Sequence, residues 1–578
     1  MRKLFLLISI FITSLAFGQA GIGTKTGSQQ NTICNPMNLS YRFCLDKPSR
    51  REAADPTMIT FKGEYYLFAS KSGGYWHSND LIHWDLITTK DLPIEDYAPT
   101  AVVIKDCIYF MASGGPNLKI YKSADPKSGK WEIVNAKFPI VMIDPDLFLD
   151  DDGRLYFYYG CSNVKPLYCV ELDINTLNPI GKPVETFNNQ KDVFGWEQIG
   201  DYNTGNQNKK ENPWTEGSWM TKHDGKYYLQ YATPGTQFKS YCDGLYIADK
   251  PLGPFKSALN NPMSSKPEGF IAGAGHSSTF EDKYGNYWHI STMTISQKHM
   301  FERRLGLFPM FFDKDGTFYT YTGFGDFPFT IPQKKITKPE ELFPGWMLLS
   351  YNKPVSVSSE LAEHPKNYAS DEEIRTYWSA QTGNKGEWIS LDLQKPSTVN
   401  AIQINYAENN TNLFGRSESI YYQYKLECSD DNKTWKSLAD KTSTKIDAPH
   451  DFVVLDKPIK TRYIRVTNYR VPDGTFAIAD LRIFGKGPVV VPGKVENFMI
   501  TRNQNDKREA KLSWKKNANT VGYNIRYGEA ADIMYHNYQV LGADTLTIRS
   551  LNANQKYYFT IDAFNEGGIK KGTEVKSL

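Results

Sequence analysis

Alternating apolar and polar residues, the pattern of β-strands, dominate the chain from about residue 50 to residue 335. Short strands of this kind occur in pairs, each joined by a charged or glycine turn, and the second strand is rich in tyrosine. The pairs are FKGEYYLFAS, IKDCIYFMAS, DDGRLYFYYG, HDGKYYLQYA, KYGNYWHIST and KDGTFYTYTG. The region has no convincing helical period. The pattern therefore predicts an all-β structure.

The recurrence of these hairpins at intervals of tens of residues favours sheets arranged radially over a sandwich. The repeats are few and irregular, which predicts a β-propeller of about five blades rather than a solenoid. In a propeller the innermost strands begin at one end of a central channel. Residues that start equivalent strands then become neighbours although they are far apart in sequence.

Two further all-β units are predicted after the hairpin region. The pattern changes near PGWMLLSYNKPVSVSS (344–359), and a Gly/Pro linker, GKGPVVVPGKV, separates a final unit with the size of a small β-sandwich. The predicted boundaries are a signal peptide at 1–19, the propeller at 20–345, a second domain at 346–486, a linker at 487–493 and a third domain at 494–578.

The first residues, MRKLFLLISIFITSLAFGQA, have the basic start, apolar run and small residues of a cleaved secretory signal peptide. We therefore expect a secreted or periplasmic protein without a retained membrane span. The net charge of +3 on 578 residues gives no reason to expect a nucleic-acid partner, and 14% aromatic residues favour β-structure and carbohydrate-facing surfaces. The seven cysteines show no metal-ligand spacing, and their odd number argues against a disulfide framework.

Three carboxylates stand at matching places in the repeats. Asp55 in ADPTMI, Asp144 in MIDPDLF and Glu216 in TEGSWM each begin a strand and hairpin of the same type. Each alone has an ordinary explanation as a turn residue. Three matching positions in a propeller, however, would converge at one end of the channel. Convergent carboxylates are suited to cleaving a glycosidic bond, with one acid, one base and a third group that raises the pKa of the acid.

The stretch MIDPDLFLDDDGRLYFYYG (142–160) contains five aspartates. Asp152 and Gly153 suit a tight turn between strands, which accounts for Asp150–Asp152. Asp144 and Asp146 come earlier, where a carboxylate on a buried strand costs several kcal/mol unless it is paired or used. These two aspartates are the candidates for a functional role.

Residues from about 50 to 335 resemble glycoside hydrolase family 43 in the order and spacing of ADPTMI, IDPDLFLDDDGRLYFYYG and EGSWMTKHDGKYYLQYA. The resemblance implies a five-bladed propeller with Asp55 as general base, Asp144 as pKa modulator and Glu216 as general acid. It also implies inversion at the sugar carbon, with Asp55 activating water while Glu216 protonates the departing oxygen. Asp146 is then expected to shape the strand start.

The resemblance extends to two further motifs and implies more substrate-binding residues. GAGHSSTF makes His276 a candidate for the sugar or for a calcium site, and RRLGLFPMFFDKDG suggests that Arg304 reaches the sugar, with Arg303 as an equal rival. Trp76 and Tyr97 are the candidate aromatic contacts. No cofactor is expected beyond a structural calcium.

Two departures from the family pattern bear on the choice of sugar. Thr100 in YAPTAVV replaces the usual aspartate and is expected to alter the sugar-facing wall, and EGS replaces the usual EGP. The expected function is release of pentose by a β-xylosidase, with an α-L-arabinofuranosidase, a β-galactofuranosidase or a non-catalytic carbohydrate-binding propeller as alternatives. The linkage, the natural polysaccharide and exo or endo action stay open.

The two remaining units resemble known accessory domains. Residues 346–486 resemble a discoidin (coagulation factor 5/8 type C) jelly roll with core residues Trp378 and Trp388, suited to carbohydrate binding or to packing. The last unit resembles fibronectin type III, with Trp514 and Tyr523 in inner strands and the Leu551–Tyr557 spacing of a tyrosine corner. We expect it to act as a spacer.

Overall fold

The computed structural model describes residues 31–114, 118–141, 143–205 and 211–578. The predicted signal peptide at 1–19 lies outside the described residues. Within them the regular structure consists of β-strands and a few short 3₁₀ turns, which confirms the all-β prediction. Among the described residues, no helix has the length and apolar character needed to cross a membrane.

Five antiparallel sheets follow one another along the first part of the chain, and each is built from one of the predicted hairpins and the strands after it. Sheet 1 consists of Ala54–Phe61, Glu64–Ser70, Tyr75–Ser78 and Asp85–Ile87; sheet 2 of Pro99–Ile104, Cys107–Ala112, Leu118–Ser123 and Glu132–Phe138; sheet 3 of Asp146–Leu149, Leu155–Tyr159, Tyr168–Leu172 and Pro179–Glu185; sheet 4 of Glu216–His223, Lys226–Thr233, Cys242–Ala248, Lys256–Ser257 and Ser264–Ser265; sheet 5 of Ala272–Glu281, Tyr287–Thr294, Arg303–Phe312 and Phe318–Thr320.

The first strands of the five sheets form a closed ring, in which each lies against the next and the fifth lies against the first. A hydrogen bond involving a side chain crosses each of the five boundaries. These bonds join Thr57 Oγ1 to Pro99 O (2.7 Å), Leu147 N to Thr100 Oγ1 (3.1 Å), Met220 N to Asp146 Oδ2 (2.7 Å), Gln230 Nε2 to Ser277 O (2.8 Å) and Met58 N to Ser278 Oγ (2.9 Å).

Apolar clusters fill the spaces between neighbouring sheets. For example, Phe68 and Tyr75 of sheet 1 pack with Phe110 of sheet 2, and Leu147 and Phe157 of sheet 3 pack with residues of sheet 2. Similar clusters lie between sheets 3 and 4, 4 and 5, and 5 and 1. Burial of these faces is the main stabilising contribution to the ring, and the packing fixes the position of the strand starts.

The second unit is a sheet with two long strands, Trp388–Tyr406 and His450–Arg470, that pair with each other. The first also pairs with Val355–Val357 and Ala477–Lys486, and the second also pairs with Gln423–Ser429. Trp378 is fully buried in its core, whereas Trp388 is half-buried. The other strands are Met347–Leu348, Val355–Val357, Trp378–Ser379, Gln423–Ser429, Lys436–Asp440 and Ala477–Lys486.

The third unit has two sheets around one core that contains Trp514 and Tyr523. Tyr557 OH accepts a hydrogen bond from Asn552 N (3.1 Å), the kind of contact that the spacing predicted. One sheet consists of Glu496–Arg502, Ala510–Lys515 and Thr545–Ile548; the other consists of Gly522–Gly528, His536–Leu541, Tyr558–Asn565, Gly568–Lys570 and Lys576–Ser577. Short strands also pair Thr32–Ile33 with Phe329–Thr330 and Arg42–Phe43 with Arg51–Glu52.

Both later units pack on the ring of sheets. Arg304 of sheet 5 lies 3.7 Å from the buried Glu408 of the second unit. Arg51, just before sheet 1, also pairs with Glu408 and with the half-buried Asp447. The third unit contacts the ring through Asn552 Oδ1, which accepts a hydrogen bond from Trp196 Nε1 (3.0 Å). The third unit is therefore in direct contact with the ring, whereas the sequence suggested only a spacer.

The later aspartates of the stretch 142–160 have structural roles. Asp150–Gly153 form the turn, with a hydrogen bond from Gly153 N to Asp150 O (2.9 Å). Asp146 lies at the strand start, as expected, and its buried carboxyl accepts the hydrogen bond from Met220 N. Burial raises the pKa of Asp146 to about 8, although its hydrogen bonds with Met220 and Thr100 lower it. Asp146 therefore joins sheets 3 and 4 as a protonated acid at neutral pH.

This raised pKa makes the stability of the protein depend on pH. Between about pH 4 and 8 the Asp146 carboxyl is protonated when folded but ionised when unfolded, so rising pH favours unfolding. The side chain in Asp146→Asn cannot ionise. We therefore expect its melting temperature to fall less than that of the wild type between pH 4 and 8, with a difference in this fall of about 2 °C or more at pH 8. Scanning calorimetry measures the difference, with Asp106→Asn in an exposed turn as the control. Identical pH slopes for wild type and Asp146→Asn would contradict this role.

Candidate active site

Asp55 begins the first strand of sheet 1 in a strained backbone conformation. Its φ of +50° lies in the left-handed region, which costs a non-glycine residue about 1–3 kcal/mol. Its carboxylate is 5% exposed and accepts hydrogen bonds from Arg303 Nη1 (3.0 Å) and Ser70 Oγ (2.6 Å). Burial alone would raise the pKa of Asp55, but the charges of Arg303 and His276 outweigh it and lower the pKa. The carboxylate is therefore ionised at neutral pH.

Asp144 occupies the equivalent position before sheet 3, with a φ of +53°. Its backbone N–H donates to Ser113 Oγ (2.9 Å), and its carboxyl accepts a hydrogen bond from the backbone of Gly217. Burial raises the pKa of Asp144 to about 7; His276 lowers it, whereas the nearby carboxylates of Glu216 and Asp55 raise it. Asp144 therefore changes protonation near neutral pH, within reach of the other two acids.

Glu216 begins the first strand of sheet 4 and is the most exposed of the three acids. Its Oε1 accepts a hydrogen bond from Tyr241 OH (2.6 Å) and its Oε2 accepts one from Cys161 Sγ (3.1 Å). A carboxyl oxygen of Glu216 lies within 4.8 Å of one of Asp144. The two donors hold the carboxyl in place while it stays accessible to a substrate.

His276 lies between the acids. Its Nδ1 is 3.2 Å from Asp55 Oδ1 and 3.9 Å from Asp144 Oδ2. Burial lowers the pKa of His276, but the surrounding carboxylates, led by Asp55 and Asp144, raise it more. A Cβ atom on Gly217 would lie 2.7 Å from the His276 ring, so only glycine allows this close approach. The imidazole thus offsets part of the negative charge. Its predicted contact with sugar stays a prediction.

The predicted calcium contact of His276 stays a prediction. Asp55 and Asp144 each place a carboxylate oxygen near the His276 Nδ1, whereas calcium takes six to eight oxygen ligands. A nearby group of donor atoms consists of one oxygen each from Asp144 and Glu216 with the Cys161 thiol, a poor ligand for a hard cation. No step is assigned to a metal ion.

The structure places Arg303, rather than Arg304, beside the carboxylates. Arg303 bridges Asp55 and the buried Glu52, with Nη2 2.6 Å from Glu52 Oε1. Arg304 Nε instead donates to His450 Nε2 in the second unit (2.9 Å). Successive residues of a strand face opposite sides, so only one of the pair can face the acids. The prediction for Arg304 is corrected to Arg303.

The other residues predicted to face the sugar lie in different surroundings. Tyr97 is half-buried with Arg303 over its ring at 6.0 Å from the centroid, so it lies beside the carboxylates. Trp76 is 1% exposed and packs with Tyr41 in an apolar cluster, so the structure does not bring it to the acids. Thr100 is fully buried where it accepts the hydrogen bond from Leu147 N, which contradicts its predicted place on a sugar-facing wall.

Sequence reasoning did not identify Ser70, Cys161 or Tyr241 as contacts of the acids. The hairpin pattern could have identified Ser70 and Cys161, because each lies at or just after the end of the second strand of a hairpin. That end returns to the residue that begins the first strand, which brings Ser70 to Asp55 and Cys161 near Asp144. Tyr241 comes from a separate loop, and no pattern in the sequence connects it with Glu216.

The site combines an ionised carboxylate, Asp55, with an accessible carboxyl, Glu216, and a third acid that changes protonation near neutral pH. Hydrolysis of a glycosidic bond requires one carboxyl group to donate a proton and a second to activate water or attack the sugar carbon. The geometry therefore supplies the groups that this reaction needs.

Comparisons with known proteins also indicate hydrolysis of a glycosidic bond. Residues 48–318 match the model of Glycosyl hydrolases family 43, and residues 354–479 match the F5/8 type C domain model. A β-D-galactofuranosidase from Aspergillus niger is 23% identical over 271 residues, which cover 41% of this chain and 72% of that protein. A β-xylosidase from Xylanibacter ruminicola is 31% identical over 147 residues, which cover 23% and 41%.

A xylosidase/arabinosidase from Butyrivibrio fibrisolvens is 23% identical over 270 residues, which cover 41% of this chain and 48% of that protein. The match thus spans less than half the length of two of these three relatives. A solved structure described as a glycoside hydrolase aligns over 77% of this chain and all of that chain, with 18% identity and a TM-score of 0.45. The family models thus assign residues 48–318 to Glycosyl hydrolases family 43 and residues 354–479 to the F5/8 type C domain.

Proposed function

We propose that the protein is an exported, inverting glycoside hydrolase that removes pentose residues from oligosaccharides, most specifically as a β-xylosidase. The observation that carries the proposal is the convergence of Asp55, Asp144 and Glu216 from three sheets around His276. The ring of five sheets is interpreted as a five-bladed β-propeller within residues 20–345. Export is proposed from the sequence of residues 1–19.

In the proposed mechanism Asp55 is the general base. Its ionised form is stabilised by Arg303 and His276, so it can accept a proton from the attacking water. Glu216 is the general acid that protonates the departing oxygen, because it is the accessible carboxyl of the three. Asp144 modulates the acid by charge repulsion and orientation. The mechanism needs no cofactor.

The choice of sugar rests on the relatives rather than on the geometry. Two of the relatives compared above are named for xylosidase activity, which favours xylose. An α-L-arabinofuranosidase is the second candidate, supported by the relative named xylosidase/arabinosidase, and a β-galactofuranosidase is the third, supported by the Aspergillus niger relative.

The later units are proposed to support the enzyme. The F5/8 type C domain, within residues 346–486, is anchored through its buried Glu408, which pairs with Arg304 of sheet 5 and with Arg51 of the segment before sheet 1; this favours a packing role over a freely moving binding module. After a linker at 487–493, residues 494–578 are proposed to be a fibronectin type III domain, supported by the Tyr557–Asn552 contact.

Release of 4-nitrophenol tests the reaction and its sugar. We expect residues 20–578 to hydrolyse the 4-nitrophenyl β-xyloside faster than the α-L-arabinofuranoside or β-galactofuranoside. Asp55→Ala and Glu216→Ala remove the base and the acid, and each is expected to lower kcat by about 10²–10⁴-fold. Asp106→Ala, in an exposed turn, is the control. Activity that survives both substitutions would contradict the assigned roles, and sugar binding without turnover would favour the non-catalytic alternative.

Arg303 and Arg304 can be separated by the acidic limb of the pH profile. Arg303→Met removes the cation that lowers the pKa of Asp55, so the base is protonated at higher pH and the acidic limb of kcat/KM moves to higher pH than in the wild type. Arg304→Met is the matched control, because its side chain faces the second unit. An acidic limb that moves in Arg304→Met and stays in place in Arg303→Met would reverse the correction.

Cys161 is expected to help position the Glu216 carboxyl. Its thiol donates a hydrogen bond to Glu216 Oε2, while Tyr241 OH donates to Oε1. Without the thiol, in Cys161→Ala, the carboxyl loses one of these two contacts, and we expect kcat/KM to fall by about 2- to 10-fold. Cys161→Ser keeps a donor and should resemble the wild type, and Cys169→Ala changes a buried cysteine of a neighbouring strand as a control. An unchanged kcat/KM in Cys161→Ala would contradict this role.

A further inference from the structure

A cavity of about 480 Å³ lies between sheet 5 and the third unit. It is bordered by the outermost strand of sheet 5, Phe318–Thr320, the chain after it, and the loop around Asp532 of the third unit. The carboxylates instead lie at the starts of the innermost strands. The cavity is therefore separate from the active site, and its volume falls in the range of small-molecule binding pockets.

Aromatic side chains form much of the cavity wall. Tyr319 of sheet 5 stacks on Tyr535 of the third unit, with ring centroids 3.5 Å apart and an interplanar angle of 5°. Tyr321, Phe324 and Phe343 line the cavity and are only partly buried. Aromatic rings of this kind offer faces to the C–H groups of a sugar, and the stack between the two units fixes their position.

The charges of the lining cancel. Arg526 pairs with Asp562 through two contacts of 2.9 Å, and Lys571 pairs with Glu340 at 2.8 Å. The remaining charged lining residues, Lys338 and Asp532, have opposite signs. A lining with equal numbers of cations and anions does not select a phosphate, a carboxylate or a cationic ligand. It favours a neutral ligand.

A buried acceptor in the lining indicates which polar groups that ligand carries. Asn524 is 2% exposed, and its Oδ1 has no hydrogen-bond partner among the residues that the structure describes. Buried polar atoms are normally paired, and an unpaired one is destabilising. The Oδ1 is closed off from the cavity as the side chain stands, so a hydroxyl group of a bound ligand supplies the missing donor only when the Asn524 side chain turns toward the cavity. Aromatic faces, balanced charge and an unpaired acceptor together fit a polyhydroxylated, uncharged molecule.

We propose that this cavity is a second carbohydrate-binding site, which holds a neutral oligosaccharide segment outside the active site. The identity of the ligand as a saccharide rests on the proposed function, because the ligand is inferred to be part of the polymer that the enzyme cleaves. Binding there would hold the enzyme on its polymer between cleavages. The third unit, by this account, completes a binding site that neither unit forms alone.

Isothermal titration of the full chain carrying Glu216→Ala tests the proposal, because this variant can bind without cleaving. Xylohexaose, α-1,5-L-arabinohexaose and cellohexaose are titrated in turn. At least one is expected to bind at two sites per chain. Ala531→Trp places a large ring at the exposed rim of the cavity, and Asn524→Leu replaces the amide with an apolar group of the same heavy-atom branching. Each added substitution should weaken the second binding event at least tenfold.

Asn505→Trp, at an exposed loop of the same unit outside the lining, is the matched control and should leave both binding events unchanged. Melting curves establish that each variant is folded, and the two cavity variants act on different atoms. Binding of every hexaose at a single site, no binding at all, or a second event that survives both cavity substitutions would overturn the proposal.

The same variants on the catalytically active background separate this proposal from the proposed function. Ala531→Trp should leave hydrolysis of the small 4-nitrophenyl glycosides unchanged, because the cavity is remote from the acids. If the wild type hydrolyses none of these glycosides, the proposed function is in doubt, while the titration still decides whether the cavity binds sugar. A loss of small-glycoside hydrolysis in folded Ala531→Trp would show that the cavity is not separate from the active site.

Discussion

The mutual repulsion of closely spaced carboxylates at one end of the ring is the constraint on which the rest of the site depends. Asp55, Asp144 and Glu216 converge there, and the charges of Glu216 and Asp55 raise the cost of ionising Asp144. Arg303 and His276 supply positive charge that offsets this repulsion, and they stabilise the ionised form of Asp55 more than that of Asp144. Because Arg303 contacts Asp55 directly, that acid stays ionised, whereas Asp144 changes protonation near neutral pH.

The compensating charges are themselves held by the packing behind the site. Arg303 is fixed by the buried Glu52, and the neighbouring Arg51 pairs with Glu408 of the F5/8 type C domain. Removing one partner of a buried ion pair is strongly destabilising, because the other charge is left without compensation. This domain therefore stabilises the segment before sheet 1 that ends at Asp55, in addition to packing beside the ring.

Local patterns in the sequence account for most of the fold and for the three acids. The hairpins with tyrosine-rich second strands predicted the sheets, and the matching positions of Asp55, Asp144 and Glu216 predicted their meeting. Features that depend on which side of a strand a residue faces were not predictable in the same way, such as the choice between Arg303 and Arg304. Trp76 and Thr100 were misplaced because burial by neighbouring sheets leaves no local signature.

The stereochemistry of the first product tests the central claim, that Asp55 activates water while Glu216 protonates the leaving oxygen. Proton NMR can follow the anomeric signals during hydrolysis of a 4-nitrophenyl β-xyloside, or of whichever glycoside is the best substrate, before mutarotation mixes them. The account predicts that the sugar first appears with inverted configuration, as α-xylose from the β-xyloside. First appearance of the anomer with retained configuration would show that a carboxylate attacks the sugar directly, which would contradict the account.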